Sequence, residues 1–280
     1  MNLMQLIKLV LDDAYAAIVA PDDATKDAQI KVEMTNLSAE YGNLTSKACA
    51  PIDYSNAVKR FAYIYKYTVA HADYIMQLIK ASNELRELLD KRSIEVACLG
   101  GGPGSDLLGI LKFLIQTGAK DLSLKCYIFD KERAWGDSWS DVASLLKPPF
   151  QIYPVFQQMD ITDATTWASY QKFLRADLFT LSYFLSEVWK IKDAAEPFFE
   201  HCLSQMKSGS MILFVDNNDS RFRDWFDAMS KRHKLVVIES AEGELCFSND
   251  EEKDDLGVYF RKFGWPKRKS DAAWRIMAKG

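Results

Sequence analysis

A short apolar run that passes directly into a glycine-rich turn constrains the fold of this chain more than any other feature. Ile94–Leu99 is bounded by polar residues and by glycine, which predicts a buried strand. The turn that follows it reads Gly100-Gly101-Gly102-Pro103-Gly104-Ser105-Asp106. Leu107 then opens an amphipathic stretch, which predicts a helix. This order is typical of a ligand-binding loop, because glycines allow close approach of the backbone and the helix N-terminus offers unpaired N–H groups.

Short apolar runs recur after this point and alternate with turn signals and amphipathic stretches. Seven of them are predicted as strands, namely Ile94–Leu99, Leu122–Phe129, Ile152–Phe156, Leu178–Tyr183, Met211–Val215, Leu235–Ile238 and Val258–Phe263. Helical stretches between the first five predict parallel pairing, while the last pair is open to an antiparallel arrangement. The pattern predicts an α/β fold with a doubly wound, seven-stranded, mostly parallel sheet of the Rossmann-like kind.

The first 92 residues lack this alternation and are predicted to be helical. Apolar residues recur at helical spacing over residues 3–11, and residues 53–89 contain neither glycine nor proline. Such stretches favour helices. We therefore divide the chain into an N-terminal helical region, residues 1–92, which could build the substrate side of a site, and a Rossmann-like domain, residues 93–280.

The composition of the chain is that of an ordinary globular protein, with 48% apolar and 26% charged residues. Its formal net charge of -4 means that a nucleic-acid partner would need a local basic patch. Five widely spaced cysteines fit neither a disulfide framework nor a CxxC metal clip and favour a reducing compartment. They are Cys49, Cys98, Cys126, Cys202 and Cys246. Neither a signal peptide nor a membrane span is predicted, so we expect a cytoplasmic or nuclear location.

The spacing of the glycines selects among the ligands that such a loop can bind. A dinucleotide loop needs GxGxxG, but the sixth position is Ser105 counted from Gly100 and Leu107 counted from Gly102. No Gly-Lys-Ser/Thr ends the turn, which excludes a P-loop. Gly100, Gly102 and Gly104 instead form GxGxG, which resembles motif I of the class I S-adenosylmethionine-dependent methyltransferases.

This resemblance implies that S-adenosylmethionine is the cofactor and that the turn from Gly100 to Asp106 wraps its methionine part. All seven residues of the turn are therefore candidate cofactor contacts. The family often carries an acid two residues before the first glycine, where this chain has Cys98. Asp106 could supply a carboxylate from the helix side, although an acid in the first turn of a helix is also common without any ligand.

Residues at the ends of the second and third predicted strands extend the resemblance. The candidate cofactor contacts here are Asp130, Lys131, Trp135, Met159, Asp160 and Ile161. By resemblance, Asp130 accepts hydrogen bonds from the ribose hydroxyls, which a carboxylate can do with both oxygens. Asp160 would accept from the adenine amino group, with Met159 or Ile161 packed on the ring. Turn and capping roles would explain both acids without a ligand, and Trp135 could lie in the core instead of covering the adenine.

Polar residues at the end of the fourth predicted strand and just after it are the candidates for the substrate side. Ser182, Tyr183 and Glu187 lie where the resemblance places the reactive methyl group, and Ser182 is also a candidate cofactor contact. Methyl transfer is an in-line displacement that requires alignment and sometimes a base. The Asn/Asp-Pro-Pro-Tyr signature of amino-group nucleic-acid methylases is absent. No metal site is predicted, because the three histidines are not in ligand spacing.

The methyl acceptor is expected to be RNA, a protein or a small molecule. Aromatic and basic residues of the N-terminal helices could stack on bases and hold phosphates, and the basic tail from Arg261 to Arg275 could add to this surface. Helix packing and simple solvation explain the same residues. The N-terminal candidates are Tyr54, Lys59, Arg60, Phe61, Tyr63, Tyr65, Lys66, Tyr67 and Tyr74. The acidic residues between Glu242 and Asp255 are predicted to form a solvated loop.

Two functions of other classes fit parts of the pattern. A noncatalytic methyltransferase-like subunit would keep the fold as a binding scaffold, and Cys98 in place of the usual acid supports this alternative. A nucleotide or nicotinamide enzyme would also use a glycine loop between a strand and a helix. The failed GxGxxG spacing disfavours that second alternative.

Overall fold

The computed structural model describes residues 2–46, 51–248 and 250–280, so Cys49 lies outside the described residues. Seven strands form one sheet with the order β3-β2-β1-β4-β5-β7-β6. The strands are β1 (Ser93–Leu99), β2 (Ser123–Asp130), β3 (Gln151–Gln158), β4 (Leu178–Ser182), β5 (Met211–Asn217), β6 (Leu235–Cys246) and β7 (Lys269–Lys279). The first five pair in parallel, and β7 pairs antiparallel with both β5 and β6. The predicted seven-stranded, mostly parallel α/β fold is confirmed.

The seventh strand is not where the sequence predicted it. Val258–Phe263 forms a helix, and the strand lies further on, at Lys269–Lys279. Tertiary contacts explain the helix, because Tyr259 packs edge-on against Phe61 and donates a hydrogen bond to the Asp12 carboxylate at 2.9 Å. The strand was hidden because its buried positions include small and polar residues, which are enclosed on both sides by β5 and β6.

The acidic run near the C-terminus is not the solvated loop that was predicted. Glu242 and Glu244 belong to β6, which is twelve residues long. Both carboxylates meet cations, since Glu242 pairs with Arg223 and Glu244 lies 2.8 Å from the Lys269 ammonium group. Charge pairing with β7 and with α11 therefore allows this polar segment to form an edge strand.

Helices cover both faces of the sheet. They are α1 (Leu3–Ala17), α2 (Asp23–Gly42), α3 (Ala57–Tyr63), α4 (Val69–Ala81), α5 (Asn83–Leu89), α6 (Ser105–Gln116), α7 (Ala134–Leu145), α8 (Ala164–Trp167), α9 (Phe184–Val188), α10 (Lys192–Gln205), α11 (Ser220–Arg232) and α12 (Val258–Phe263). Side chains of β1 alternate between the two faces. Val96 and Cys98 join the core beneath α4 and α6, while Ala97 and Leu99 join the core beneath α10 and α11. This arrangement makes the sheet doubly wound.

The N-terminal helices share a hydrophobic core with the sheet. Leu3 and Ile7 of α1, Ile75 of α4 and Leu108 of α6 belong to one cluster of buried side chains. A backbone π turn, Ile64–Thr68, joins α3 to α4. The core is thus continuous across residue 92, and the division into a helical region and a Rossmann-like domain stays a prediction.

The described part of the chain contains no helix long and apolar enough to cross a membrane. Its four cysteines are free thiols, of which three are buried and Cys246 is exposed. Over the same residues no cluster of histidine, cysteine and acidic side chains could hold a metal ion.

Candidate functional site

A cavity of about 510 Å³ lies beyond the carboxyl ends of the parallel strands. β1 pairs with β2 on one side and with β4 on the other, so the chain reverses its direction of progress through the sheet at this point. Open α/β sheets bind ligands at such a crevice, and the volume is within the range of about 300–1,000 Å³ for small-molecule sites. The lining residues that carry the site are Tyr54, Gly100, Asp130, Lys131, Met159, Asp160, Ile161, Phe184 and Glu187.

The glycine loop has the backbone conformation that only glycine adopts readily. Gly100, Gly102 and Gly104 have φ values of 65°, 48° and 88°, in the left-handed region. A Cβ atom on Gly100 would stand 2.1 Å from the Phe184 ring, and one on Gly104 would stand 2.5 Å from Trp139. Two of the three glycines are therefore needed for the packing of aromatic rings on the loop. Gly100 lines the cavity, and Gly102 faces the carboxylate of Asp130.

The other residues of the turn lie behind the cavity. Gly101, Gly102, Pro103, Gly104, Ser105 and Asp106 are buried and are not part of its lining. Asp106 accepts a hydrogen bond from the Thr180 hydroxyl at 2.5 Å, and burial raises the pKa of its carboxyl to about 7. The carboxylate that was expected from the helix side thus turns toward the sheet, because Thr180 on β4 offers it a buried donor.

Asp130, the last residue of β2, faces the cavity and holds the glycine loop. Its Oδ2 atom accepts from the Gly102 N–H at 3.0 Å, and its Oδ1 atom accepts from the Glu132 N–H at 2.9 Å. Each carboxylate oxygen can accept a second hydrogen bond. Burial raises the pKa of Asp130 to about 6, against the lowering effect of these two backbone N–H groups. The carboxylate is therefore ionised at neutral pH and retains free acceptor capacity.

The segment after β3 forms the wall next to Asp130. Met159 and Ile161 are buried and line the cavity, with Asp160 between them. The Asp160 carboxylate lies 2.8 Å from the Lys131 ammonium group and accepts from the Thr162 N–H at 2.9 Å. Although burial acts to raise it, these hydrogen bonds hold the pKa of Asp160 below its usual value. This wall offers two apolar side chains and an ionised carboxylate.

Glu187 of α9 brings the N-terminal region into the site. Its Oε1 atom accepts from the Tyr54 hydroxyl at 3.0 Å and also from the Tyr41 hydroxyl, and these two hydroxyls lie 2.8 Å apart. Burial raises the pKa of Glu187 to about 8. The pKa values of both phenols are raised well above the ordinary value by burial and by Glu187, so both act as neutral donors.

Three further predicted site residues, besides those of the turn, lie outside the cavity lining. Tyr183 is 2% exposed, has a left-handed φ of 55° and stacks on His71 at 4.0 Å between ring centroids. This backbone conformation directs its ring toward α4, while Ser182 ends β4 below it. Trp135 is 1% exposed and packs against Tyr54 and a neighbouring tyrosine of α3. Of the three residues predicted on the substrate side, the structure brings Glu187 alone to the cavity.

Tyr41 and Phe184 are site residues that the sequence did not indicate, and Tyr54 was predicted only as a residue that could stack on bases. Tyr41 and Tyr54 reach Glu187 across separations of 146 and 133 residues. No local pattern encodes such contacts. Phe184 directly follows a predicted strand and could have been recognised from its place at the strand end.

The surface proposed for nucleic-acid stacking is largely internal. Phe61, Tyr63, Tyr65, Tyr67 and Tyr74 are all buried in the core of the N-terminal helices. The cations nearby are engaged within the chain, since Lys59 pairs with Glu40, Lys262 with Asp27 and Arg275 with Asp227. These rings pack helices together, and they do not form an exposed platform for bases.

The cavity is lined by more negative than positive side chains. Its described lining contains one lysine, Lys131, and five acids, Asp53, Asp130, Glu132, Asp160 and Glu187. Lys131 already pairs with Asp160. Carboxylates in a cleft attract cations and repel anions, so the lining favours a ligand that carries positive charge.

No protein-family model matches the sequence, and no curated protein matches it. Solved structures of similar fold were found. One is a Listeria monocytogenes protein provisionally assigned as a class I S-adenosylmethionine-dependent methyltransferase, with 11% identity and a TM-score of 0.50 over 99% of this chain and 88% of that chain.

Two further structures are less similar. A protein of Clostridium acetobutylicum described as an S-adenosylmethionine-dependent methyltransferase has 14% identity and a TM-score of 0.44, over 80% of this chain and 100% of its own. A Pyrococcus horikoshii protein provisionally assigned as an RNA methyltransferase has 14% identity and a TM-score of 0.46, over 88% of this chain and 96% of its own. At these identities the likeness concerns the fold alone.

Proposed function

Because the chain has the fold of the class I S-adenosylmethionine-dependent methyltransferases, we propose that it binds S-adenosylmethionine in this cavity and transfers the methyl group to an acceptor. The observation that supports the proposal most directly is the position of Asp130. Its carboxylate joins the glycine loop to the cavity wall at the carboxyl end of β2. An acidic residue with no role beyond ending a turn would not have to line a cavity or accept a hydrogen bond from the Gly102 N–H.

The described residues fit the chemical parts of this cofactor. Asp130 retains acceptor capacity for the two ribose hydroxyls. Met159 and Ile161 offer an apolar wall for the adenine ring, and Asp160 offers an acceptor for its amino group. Gly100 lines the cavity beside Glu187, so the methionine part would lie at this end. An acid-lined cavity also suits the positive charge of the cofactor.

The protein's contribution to the reaction is alignment and exclusion of water. When bound, the cofactor supplies an activated methyl group on a positively charged sulfur. Phe184 and Tyr54 form part of the cavity wall near Glu187, and their rings exclude water from this end. Holding two reactants in an in-line arrangement removes much of the entropic cost of their encounter. A catalytic triad or a metal ion is not required by this proposal.

Binding by the intact chain tests the proposal. Calorimetric titration with S-adenosylmethionine, S-adenosylhomocysteine and NAD should show binding of the first two and none of NAD. Asp130→Asn should weaken binding of the adenosyl compounds by about 1–3 kcal/mol, or about 5- to 150-fold, because it removes charged hydrogen bonds. Asp163→Asn is the matched control. Asp163 caps α8 outside the cavity lining, and asparagine caps equally well.

Two results would count against the assignment. One is unchanged affinity of a folded Asp130→Asn protein, and the other is preferential binding of NAD. Turnover is tested by incubating the protein and methyl-labelled cofactor with fractionated cell extract, covering RNA, protein and small-molecule acceptors. Tight binding without any labelled product would point to the noncatalytic, methyltransferase-like subunit instead.

A further inference from the structure

Glu187 is a half-buried carboxylate whose described partners carry no positive charge. The two other acids of the cavity that face the proposed ligand are compensated, Asp130 by two backbone N–H groups and Asp160 by Lys131. Glu187 bonds to two neutral phenols. Within residues 2–46, 51–248 and 250–280, it forms no ion pair with lysine, arginine or histidine.

Its position within the cavity is next to the glycine loop. Glu187 lies one turn after Phe184, whose ring covers Gly100, and all three residues line the cavity. The loop side contributes no carboxylate of its own, because Cys98 is a buried thiol within β1 and Asp106 turns to Thr180. Glu187 and Gly100 therefore belong to one cavity lining and are connected through Phe184, at the end where the amino-acid part of the ligand would lie.

Charge decides what this group can bind. A carboxylate enclosed by protein is costly to ionise unless a cation or several donors compensate it. The phenols of Tyr41 and Tyr54 fix its orientation by hydrogen bonds but leave its charge unneutralised. Other acids face it as well, Asp130 from β2 and Asp216 from β5, and both disfavour its ionised form. A cationic ligand would relieve this repulsion.

We propose that Glu187, oriented by Tyr41 and Tyr54, is the counter-charge for the positively charged amino-acid end of the cofactor. This rests on the proposed function, since the cofactor supplies the cation. Its positive centres are the sulfonium sulfur and the α-ammonium nitrogen. In this arrangement, the N-terminal helical region takes part in cofactor recognition through the two phenols, on α2 and just before α3.

Proton release on binding is the expected signature. Burial raises the pKa of Glu187 to about 8 in the free protein, so the carboxyl is mostly protonated at pH 6.5. A bound cation favours the ionised form. Binding should therefore release about one proton at pH 6.5, and the affinity should rise with pH toward 8 by up to about tenfold per unit. The groups facing Glu187 are Tyr41 (α2), Tyr54, Tyr63 (α3), Tyr67 (the π turn), Asp130 (β2) and Asp216 (β5).

The experiment measures affinity and proton release by titration calorimetry in two buffers of different ionisation enthalpy. Glu187→Gln should bind S-adenosylmethionine at least about tenfold more weakly and release no proton. Asp193→Asn is the control, because this acid is 91% exposed on α10 beside the lining residue Ala194. Asp193→Asn should change neither the affinity nor the number of protons released. At pH 6.5 the amino group of the free ligand is already protonated, so a proton released on binding at this pH comes from the protein.

Three ligands separate the two positive centres. S-adenosylhomocysteine lacks the sulfonium charge and methylthioadenosine lacks the ammonium group. If Glu187→Gln binds both S-adenosylmethionine and S-adenosylhomocysteine more weakly but binds methylthioadenosine as before, Glu187 is assigned to the ammonium group. Weakened binding of S-adenosylmethionine alone assigns it to the sulfonium. Unaltered affinity and proton release in Glu187→Gln would overturn the inference, whereas failure of the unaltered chain to bind any of them would overturn the proposed function.

A second variant guards against misfolding of Glu187→Gln. Tyr41→Phe with Tyr54→Phe keeps the carboxyl group but removes both donors to its ionised form, which raises its pKa further. The pH at which the affinity levels off should then move upward. An unchanged pH profile in this folded double variant would also contradict the proposed role of the two phenols.

Discussion

Gly100→Ala tests how closely the loop after β1 is packed. At a φ of 65°, an alanine costs about 1–2 kcal/mol relative to glycine. The added Cβ atom would stand 2.1 Å from the Phe184 ring, so the ring or the loop must move. Overpacking of this kind costs about 1–3 kcal/mol. The free energy of unfolding should therefore fall by about 2–5 kcal/mol in total.

Gly118 provides the matched control for this substitution. It has a φ of 76°, and an added Cβ atom would meet no described atom within 4 Å. Gly118→Ala should therefore cost only the backbone part, about 1–2 kcal/mol. Urea unfolding of the full chain, followed by circular dichroism, measures both variants. The loss in Gly100→Ala should exceed that in Gly118→Ala by about 1–3 kcal/mol.

The Phe184 ring can be removed to check the cause. In a double-mutant cycle, Gly100→Ala should cost less when Phe184 is already alanine, because the clash no longer exists. Equal losses for the two glycine variants, or no coupling between Gly100 and Phe184, would refute the reasoning that Phe184 packs directly on the loop.

Buried charges yield two further predictions. The pKa of Glu187 is about 8 in the folded protein against 4.5 ordinarily, so its contribution to stability is full below pH 4.5 and is lost as the pH rises through 8. The melting temperature of Glu187→Gln should therefore rise relative to that of the unaltered chain between pH 5 and pH 9. Parallel profiles of melting temperature against pH would contradict this. Lys112→Met leaves Asp73 and Glu251 buried without their cation, so urea unfolding should show a loss of about 3–5 kcal/mol. Lys125→Met removes one partner of a partly exposed ion pair and should lower the free energy of unfolding by at most about 1 kcal/mol. Equal losses in Lys112→Met and Lys125→Met would contradict this prediction.

Local sequence patterns were sufficient for most of the sheet but not for its last strand. β1, β2, β4 and β5 are short and largely apolar, as expected of parallel strands covered on both faces, and β3 is a partly exposed strand at the sheet edge. Val258–Phe263 is as apolar, yet it forms a helix because Tyr259 binds α1 and packs against Phe61. The true seventh strand buries Ala272, Ala273 and Met277 between two neighbours, and small residues of this kind give little strand signal.

The residues of the candidate site also divide into those that local sequence predicts and those that it does not. Gly100 follows β1, Asp130 ends β2 and Asp160 lies two residues after β3, so their places at one edge of the sheet could be predicted from order along the chain. Ser182 ends β4 and Tyr183 follows it, but the left-handed backbone at Tyr183 turns its ring to His71. The order of strands along the chain does not predict such a left-handed backbone conformation.

By itself the sequence determined the α/β architecture, the glycine loop and the acids at the strand ends, because each of these depends on residues close together in the chain. Only the tertiary structure decided that Tyr41 and Tyr54 would meet Glu187. It also decided that Asp106 would turn to Thr180 and that the N-terminal aromatic rings would be buried. The physical reason is that burial and long-range contact set the charge and orientation of these groups, and neither is encoded in any local spacing.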